Sequence, residues 1–327
     1  MKPKLDADPL GRLVVGLNAV IFAAEDGELN VLVTEGLDGR QPALPFGPFD
    51  PETHRTFEIG LREWVRGQTG FELGYVEQLY TFGDRGREAP VAALTGADGA
   101  RVVSVGYLGL APEARVLKGA DARWVRWSRF FPWEDHRDGR PAILTDQIAP
   151  ALRSWADEAA APGRRAARYD RVRLTFGLDG APWNEERALD RYELLYEAGL
   201  VAEASRDRGE EPGDAVFGEA MASDHRRILA TALSRLRGKI KYRPVVFELT
   251  PELFTLSHLQ KLVESIAGFP LHKQNFRRAL DRAGFVDGTG RMESRTGGRP
   301  AELHRFARET VRSGTALGLT IPRLKDA

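Results

Sequence analysis

The sequence predicts an α+β protein in two unequal parts. A mixed sheet with helices on both faces, an α/β/α sandwich carrying an inserted segment, is followed by a C-terminal winged helix-turn-helix. Three observations predict this. Over residues 13–126, short β-like runs alternate with one clear amphipathic helix on short connections. Over residues 223–306, three helices in quick succession lead into a Gly/Arg-rich hairpin. The charge is also divided: the 327 residues hold 47 Lys and Arg against 47 Asp and Glu, yet Ser223 to Ala327 holds 20 basic residues against 10 acidic ones, leaving 27 against 37 before it. A basic module behind an acidic one is what nucleic-acid binding by one end requires, although a solvated basic surface or a charge-paired domain contact produces the same split.

In chain order, Leu13 to Phe22 reads as an apolar strand, Glu25-Asp26-Gly27-Glu28 as a turn and Leu29 to Thr34 as the returning strand. After the Gly/Pro-rich loop Gly36 to Pro51, His54 to Gln68 is helical, with Phe57, Leu61, Trp64 and Val65 recurring on the face to be buried. Strands follow at Tyr75 to Phe82, at Arg101 to Leu110 and through Trp124 and Val125. Ala159 to Arg168 reads as a linker. Beyond it come a strand at Arg171 to Phe176, a turn at Asp179-Gly180-Ala181-Pro182 and an amphipathic helix at Asn184 to Glu197.

From Ser223 the pattern is helical, with Ile228, Leu229, Leu233 and Leu236 on one stripe ending near Gly238. Thr255 is placed as N-cap of the next helix, which Gly268 ends; the turn Gly268-Phe269-Pro270-Leu271 leads to a helix over His272 to Ala283 that buries Phe276 and Leu280. The turn Thr296-Gly297-Gly298-Arg299-Pro300 joins two segments able to pair as a hairpin. The expected division is residues 1–162, an insertion at 163–218 and a linking helix with the winged module at 219–327.

Several functions lack the residues they need. There is no cysteine for a disulfide, a thiolate zinc site or a thiol nucleophile. His54, His136, His225, His258, His272 and His304 show no metal-ligand spacing, and no Gly-rich phosphate loop opens a helix. No apolar run approaches the roughly 18 residues of a membrane span, and Met1 to Asp6 lacks the apolar core of a secretory signal, so a cytoplasmic protein without membrane partners is expected.

Leu44-Pro45-Phe46-Gly47-Pro48-Phe49-Asp50-Pro51-Glu52, followed by Arg62-Glu63 and Thr69-Gly70-Phe71, resembles a worn Nudix box. In active Nudix hydrolases an Arg-Glu pair and two adjacent glutamates gather magnesium beside a diphosphate. Counted back from Gly70, the places of the adjacent glutamates hold Gly67 and Gln68, and those of the pair hold Glu63 and Trp64. A register shifted by one restores Arg62-Glu63 but supplies Arg66 and Gly67. Either way only Glu52, Glu58 and Glu63 remain, scattered, and Glu58 and Glu63 read as an exposed helix face. No catalytic residue and no metal site is assigned.

Gln78-Leu79-Tyr80-Thr81-Phe82-Gly83-Asp84 with Arg101-Val102-Val103-Ser104-Val105-Gly106-Tyr107 is similar to the Nudix-related (NrtR-like) transcriptional regulators of NAD metabolism. So are Lys241-Tyr242-Arg243-Pro244 to Phe254-Thr255-Leu256, Asn275-Phe276-Arg277-Arg278 and Gly298-Arg299-Pro300-Ala301. The additional segment at 163–218 resembles the longer alphaproteobacterial, NadQ-type branch. The resemblance implies a dimeric repressor of NAD-synthesis or salvage genes whose Nudix-like domain, without a required cofactor, senses an adenine nucleotide: ADP-ribose from the wider family, NAD or ATP from the longer branch.

The implied effector pocket lies over the Leu44 to Asp50 loop, with Arg40, Phe46, Tyr80, Phe82, Asp84, Arg101 and Tyr107 as candidates. An arginine can pair with phosphate and an aromatic ring can stack on adenine. Each ring is equally explained by core packing, and Asp84 by a turn. For double-stranded operator DNA, Lys273, Asn275, Arg277 and Arg278 are the base-reading candidates. Lys239, Lys241, Arg243, Thr255 and Ser257 are phosphate candidates, and Arg295 and Arg299 are the wing contacts. Two other readings stand beside this one: a magnesium-dependent hydrolase of ADP-ribose or a related nucleoside diphosphate, and an RNA-binding or scaffolding winged helix.

Overall fold

A computed structural model describes residues 13–36, 39, 41–84, 87, 100–115, 121–211, 213, 216–293 and 300–307. The long first strand β1 (Leu13–Glu25) turns through Asp26-Gly27 into β2 (Glu28–Glu35). Short β3 (Pro42–Ala43) and β4 (Phe46–Pro48) precede helix α1 (Phe57–Thr69) and strands β5 (Tyr75–Phe82), β6 (Arg101–Ala111) and β7 (Ala122–Arg126). The sheet runs β3-β2-β1-β6-β5, with β4 also pairing β1 and β7 also pairing β2. β1 and β6 are parallel and in register from Leu13↔Arg101 to Ala23↔Ala111, and β5 is antiparallel to β6. An unbroken buried run from Gly16 to Ala24 reflects a strand covered on both faces.

The two faces have different partners. Leu17, Ala19 and Ile21 pack with Val105 and Tyr107 against Leu61 and Val65 of α1. On the other face Val20, Phe22, Leu108 and Leu110 pack into the main core, beneath α2 (Ala149–Asp157), α3 (Pro162–Phe176), α4 (Ala188–Glu197), α5 (Ala202–Arg208) and α6 (His225–Lys239). Thr56 caps α1 by accepting from the Ile59 amide, and Gly70 ends it at φ 67°. Phe57, expected inward, is exposed because it occupies the first turn, beyond the sheet contact made by Leu61 and Val65.

The segment expected as a linker and then a strand is the single helix α3. The alternation Val172, Leu174, Phe176 mimics a strand, but burial follows Val172, Thr175 and Phe176, while Leu174 faces outward. Pro162 at its first turn and Gly177 at φ 57° delimit it. The described part of 163–218 packs into the main core through Phe176, Tyr192, Leu195 and Ala204.

Beyond α6 come β8 (Phe254–Thr255), α7 (Leu256–Ala267), α8 (Lys273–Ala283), β9 (Val286–Glu293) and β10 (Ala301–Phe306), with β8-β10-β9 as a second sheet. Thr255 caps α7 and Gly268 ends it at φ 78°, as expected; such a cap contributes about 1 kcal/mol. The tip joining β9 to β10, residues 294–299, lies outside the described residues, as do Arg40, Arg295 and Arg299. α7 also packs on β2: the Leu29 amide donates to Ser265 Oγ (2.9 Å), and Trp127 Nε1 donates to the Ser265 carbonyl (3.0 Å). Among the described residues, no helix is long and apolar enough to cross a membrane.

Candidate nucleic-acid interface and sensor site

Helix α8 separates its faces cleanly. Phe276, Leu280 and Ala283 are buried, whereas Lys273, Gln274, Asn275, Arg277, Arg278 and Arg282 are exposed. The turn before α8 is held by polar side chains: Glu264 Oε1 accepts from the Leu271 amide (2.8 Å) and from Gln260 Nε2 (2.9 Å), which also donates to the Leu271 carbonyl (3.0 Å). A rigid turn fixes where the exposed face points. The structure thus brings Lys273, Asn275, Arg277 and Arg278 together as one exposed polar surface. Sequence reasoning missed Gln274 and Arg282 on this helix; the same helical spacing that exposes Arg278 was their signal.

The phosphate candidates divide. Arg243 and Ser257 are exposed. Thr255, in contrast, is buried, and its hydroxyl accepts from the His258 amide (3.1 Å), because capping claims it. Lys241 is tied to Glu185 (2.7 Å) and Glu186, and Lys239 is buried against Tyr75 and Glu77. Thr255 and Lys239 are engaged internally, whereas Lys241 is half-buried in a partly exposed ion pair.

The sensor candidates also divide. Tyr107 is buried on the α1 face, while Phe46 and Phe82 lie on the α6 face, so alternation along the strands sends them apart. Tyr80 is 62% exposed, its ring 5.3 Å from that of Phe82. Asp84 pairs with Arg227 of α6 (2.5 Å), which lies 5.4 Å over Phe82. That hydrogen bond is the main reason the Asp84 carboxyl sits below its ordinary range. Arg101 donates to the Gly83 carbonyl (2.6 Å). Tyr80, Phe82, Asp84 and Arg101 therefore gather at one end of β5 and β6, roofed by α6. A cleft of about 660 Å³ between Pro112–Arg115 and the wing contains none of the sequence candidates.

Two residues not singled out lie on the same sheet face. Asn18, opposite Phe46 on β4 and Gly106 on β6, is fully buried, and neither atom of its amide has a partner among the described residues. His225 accepts the Leu44 amide at Nδ1 (3.0 Å) and stands edge-on to Phe46 at 5.0 Å; its buried Nε2 has no partner among the described residues. Accepting at Nδ1 places the proton of the neutral ring on Nε2. Neighbouring Asp224 is pushed up to about 7 by burial, against the pull of Arg87 and Arg227. Buried unpaired polar groups are uncommon and mark places that a further polar atom completes. A histidine in the sheet-facing first turn of a helix gave no sequence signal.

Burial, with Arg206 adding to it, pulls the His225 pKa from 6.5 to about 3. Because the folded pKa is depressed, the contribution of a neutral His225 is complete above pH 6.5 and is lost as pH falls toward 3, at roughly 1.4 kcal/mol per pH unit. His136, depressed to about 4 by burial, acts in the same direction. Asp224 acts oppositely, its contribution being present in acid and lost as pH rises through 7. His225→Gln is therefore expected to flatten the pH dependence of the urea midpoint between pH 6.5 and 4. A profile parallel to wild type would contradict this.

The worn box has a definite geometry. Gln68 clamps the Phe46 backbone, donating to its carbonyl (2.6 Å) and accepting from its amide (3.1 Å). The Trp64 indole donates to the Pro48 carbonyl (2.9 Å) and lies against Gly47, where any Cβ would meet the ring. Glu63 pairs with His54 (3.3 Å), and Glu58 with Arg62 (2.9 Å). In the register counted back from Gly70 the places of the adjacent glutamates are thus a glycine and an amide bonded on both sides, and in the shifted register they are Arg66 and Gly67; neither pair supplies the carboxylates that the ion needs. Among the described residues no group of three or more His, Asp or Glu is arranged to hold a metal.

Comparison with known proteins agrees with this layout. Residues 246–306 match the family described as the NrtR DNA-binding winged helix domain. A curated relative from Acinetobacter baylyi, named "ADPR responsive transcriptional repressor NtrR", is 41% identical over 87 residues, 27% of this chain and 34% of the relative; the match thus spans about a third of that protein. NrtR of Shewanella oneidensis complexed with a 27mer DNA superposes with a TM-score of 0.55 at 19% identity, covering 94% of this chain and 99% of that one. A MutT/nudix family protein from Enterococcus faecalis gives 0.53 at 14% identity, covering 93% and 90%. The overall fold is therefore shared by proteins of both descriptions, and over residues 246–306 this chain is similar to the NrtR DNA-binding winged helix domain.

Proposed function

We propose that the chain is a ligand-responsive transcriptional repressor of NAD biosynthesis or salvage genes. The observation that carries this reading is the face of α8, where Lys273, Asn275, Arg277 and Arg278 are all exposed above buried Phe276 and Leu280. Arginine can pair with guanine and asparagine with adenine through two hydrogen bonds in the major groove. Arg243 and Ser257 supply phosphate contacts, and Arg295 and Arg299 supply the wing. In this reading residues 1–162 form the sensor, 163–218 pack against it and 219–327 read DNA. The protein works in the cytoplasm as a homodimer on a two-fold-related operator.

The effector is an adenine nucleotide: ADP-ribose, the responsiveness named for the Acinetobacter baylyi relative, or NAD or ATP. Its site is the β5–β6 end formed by Tyr80, Phe82, Asp84 and Arg101, extended beneath α6 toward Phe46, Asn18 and His225, with Arg40 kept as a candidate from the sequence, whereas Tyr107 serves the core. Because α6 leads into the winged helix, a ligand with unequal affinity for two placements of α6 changes DNA affinity. Hydrolysis is not the activity, since Gly67 and bonded Gln68 stand where carboxylates are needed.

The test is binding to a labelled duplex from upstream of neighbouring NAD genes, against scrambled DNA, with and without each nucleotide. Preference for the first duplex, relieved by one nucleotide, is expected. Equal weak binding to both would overturn the repressor, and magnesium-dependent turnover of ADP-ribose would establish the hydrolase instead.

A further inference from the structure

Glu134, in the turn after β7, lies at a buried junction of segments far apart in sequence. Its side chain and those of Arg191 on α4 and Arg237 on α6 are all 0% exposed. Arg191 grips the carboxylate through Nε and Nη2, the latter at 2.8 Å, and Arg237 Nη1 reaches it at 2.5 Å. The remaining donors end on backbone. Arg191 Nη1 donates to the carbonyls of Thr175 (3.1 Å) and Asn184 (2.9 Å); Arg237 donates to those of Glu185 (3.0 Å) and Ile266 (2.8 Å). Burial opposes ionisation of Glu134, but the two guanidiniums outweigh it and hold the carboxyl below its ordinary range.

The same residue abuts the turn that aims α8. A Cβ on Gly268 would run into the Glu134 carbonyl and lie 2.8 Å from Arg237 Nη2. The His136 amide donates to the Gly268 carbonyl at 2.6 Å, and the His136 ring lies 4.1 Å from that of Trp183. The helix-turn-helix corner is therefore seated on the Glu134 backbone and the Arg237 guanidinium, and the Glu134 carboxylate ties both to Arg191 of α4.

Resting on the DNA-binding reading of α8, we propose that Glu134 is a positioning residue for the recognition helix, and that the 163–218 segment acts through Arg191 to fix the corner's orientation. Buried ion pairs do little for net stability compared with an apolar substitute, but in some proteins they restrict the arrangements a core can adopt. Here the restricted quantity is the angle of α8. An error in that angle matters for an operator read by two helices one DNA turn apart, and little for a single module touching phosphates.

The test uses the full chain with Arg191→Lys, which keeps the charge but loses the fork, and Glu134→Gln. Hydrogen exchange in the free protein reports the corner without reference to DNA. Amides between Gly268 and Phe276 are expected to exchange at least tenfold faster in Arg191→Lys, while β1 and β6 stay as in wild type. Affinity for the operator duplex is expected to fall at least tenfold, and that for scrambled duplex to change by less than twofold. Unchanged exchange at the corner, acceleration spread equally through β1 and β6, or an unaltered operator affinity would each overturn the proposal. If Glu134→Gln fails to fold, Arg191→Lys decides. Wild type without operator preference would defeat the DNA-binding reading, while the exchange result would still decide whether the carboxylate holds the corner.

Discussion

Replacing Arg277 and Arg278 together by alanine is expected to weaken operator binding at least about 30-fold. Each arginine that reaches a base edge or is paired in the groove is worth about 1–3 kcal/mol, and both stand exposed, Arg278 opposite the buried Phe276 and Leu280 and Arg277 beside them. Neither contributes to the packing beneath, so thermal unfolding should be unaffected and the loss can be assigned to the interface. A salt titration separates the roles: base readers lower operator affinity without touching scrambled DNA, whereas phosphate contacts weaken both and reduce the salt slope by about 1 each. Binding within twofold of wild type would remove α8 as the reading element.

Phe276→Ala addresses the other face of the same helix. The ring is fully buried, and nothing polar is lost with it. Deleting a buried phenyl costs about 3–5 kcal/mol, the transfer term plus the cavity left behind. The denaturation midpoint is expected to fall accordingly, and operator binding to fall with it even though every basic side chain is retained. A loss below about 1 kcal/mol would mean that α8 is not anchored through this ring and that its orientation has another source.

How much of this was legible in the sequence depended on whether the relevant force is local. α7 and α8 were readable because Thr255, Gly268 and Gly284 mark their ends and because Phe276 and Leu280 keep helical spacing. β1 and β2 were readable from an apolar run broken by Asp26-Gly27. Arg171 to Phe176 was misread because three apolar residues at alternate positions satisfy a strand template, while tertiary packing selects Val172, Thr175 and Phe176 instead. On α8, exposure follows helix phase and the base-reading candidates came together, whereas the phosphate candidates divided. In the sensor the candidates separated, because Tyr107 and Phe82 sit on strands whose alternation places them on opposite faces. Asn18 and His225 were invisible, since their meaning depends on contacts between β1, β4 and α6. The junction at Glu134 was equally hidden: its partners lie 57 and 103 residues away, and each charge alone reads as solvated surface.

The contact between Ser265 and the first hairpin bears on how such a protein can be taken apart and rebuilt. Its hydroxyl and carbonyl receive the Leu29 amide and the Trp127 indole, so one turn of α7 completes hydrogen bonding that begins in the sheet. Excising residues 246–306 would leave that amide and indole without acceptors on one fragment and uncover the apolar flank of α7 on the other. The DNA-reading end is therefore not a portable cassette. A chimera that places it behind a different sensor must carry the matching surface of β2 and the 127–136 turn with it, and the unit inherited together is larger than the domain that sequence matching delimits.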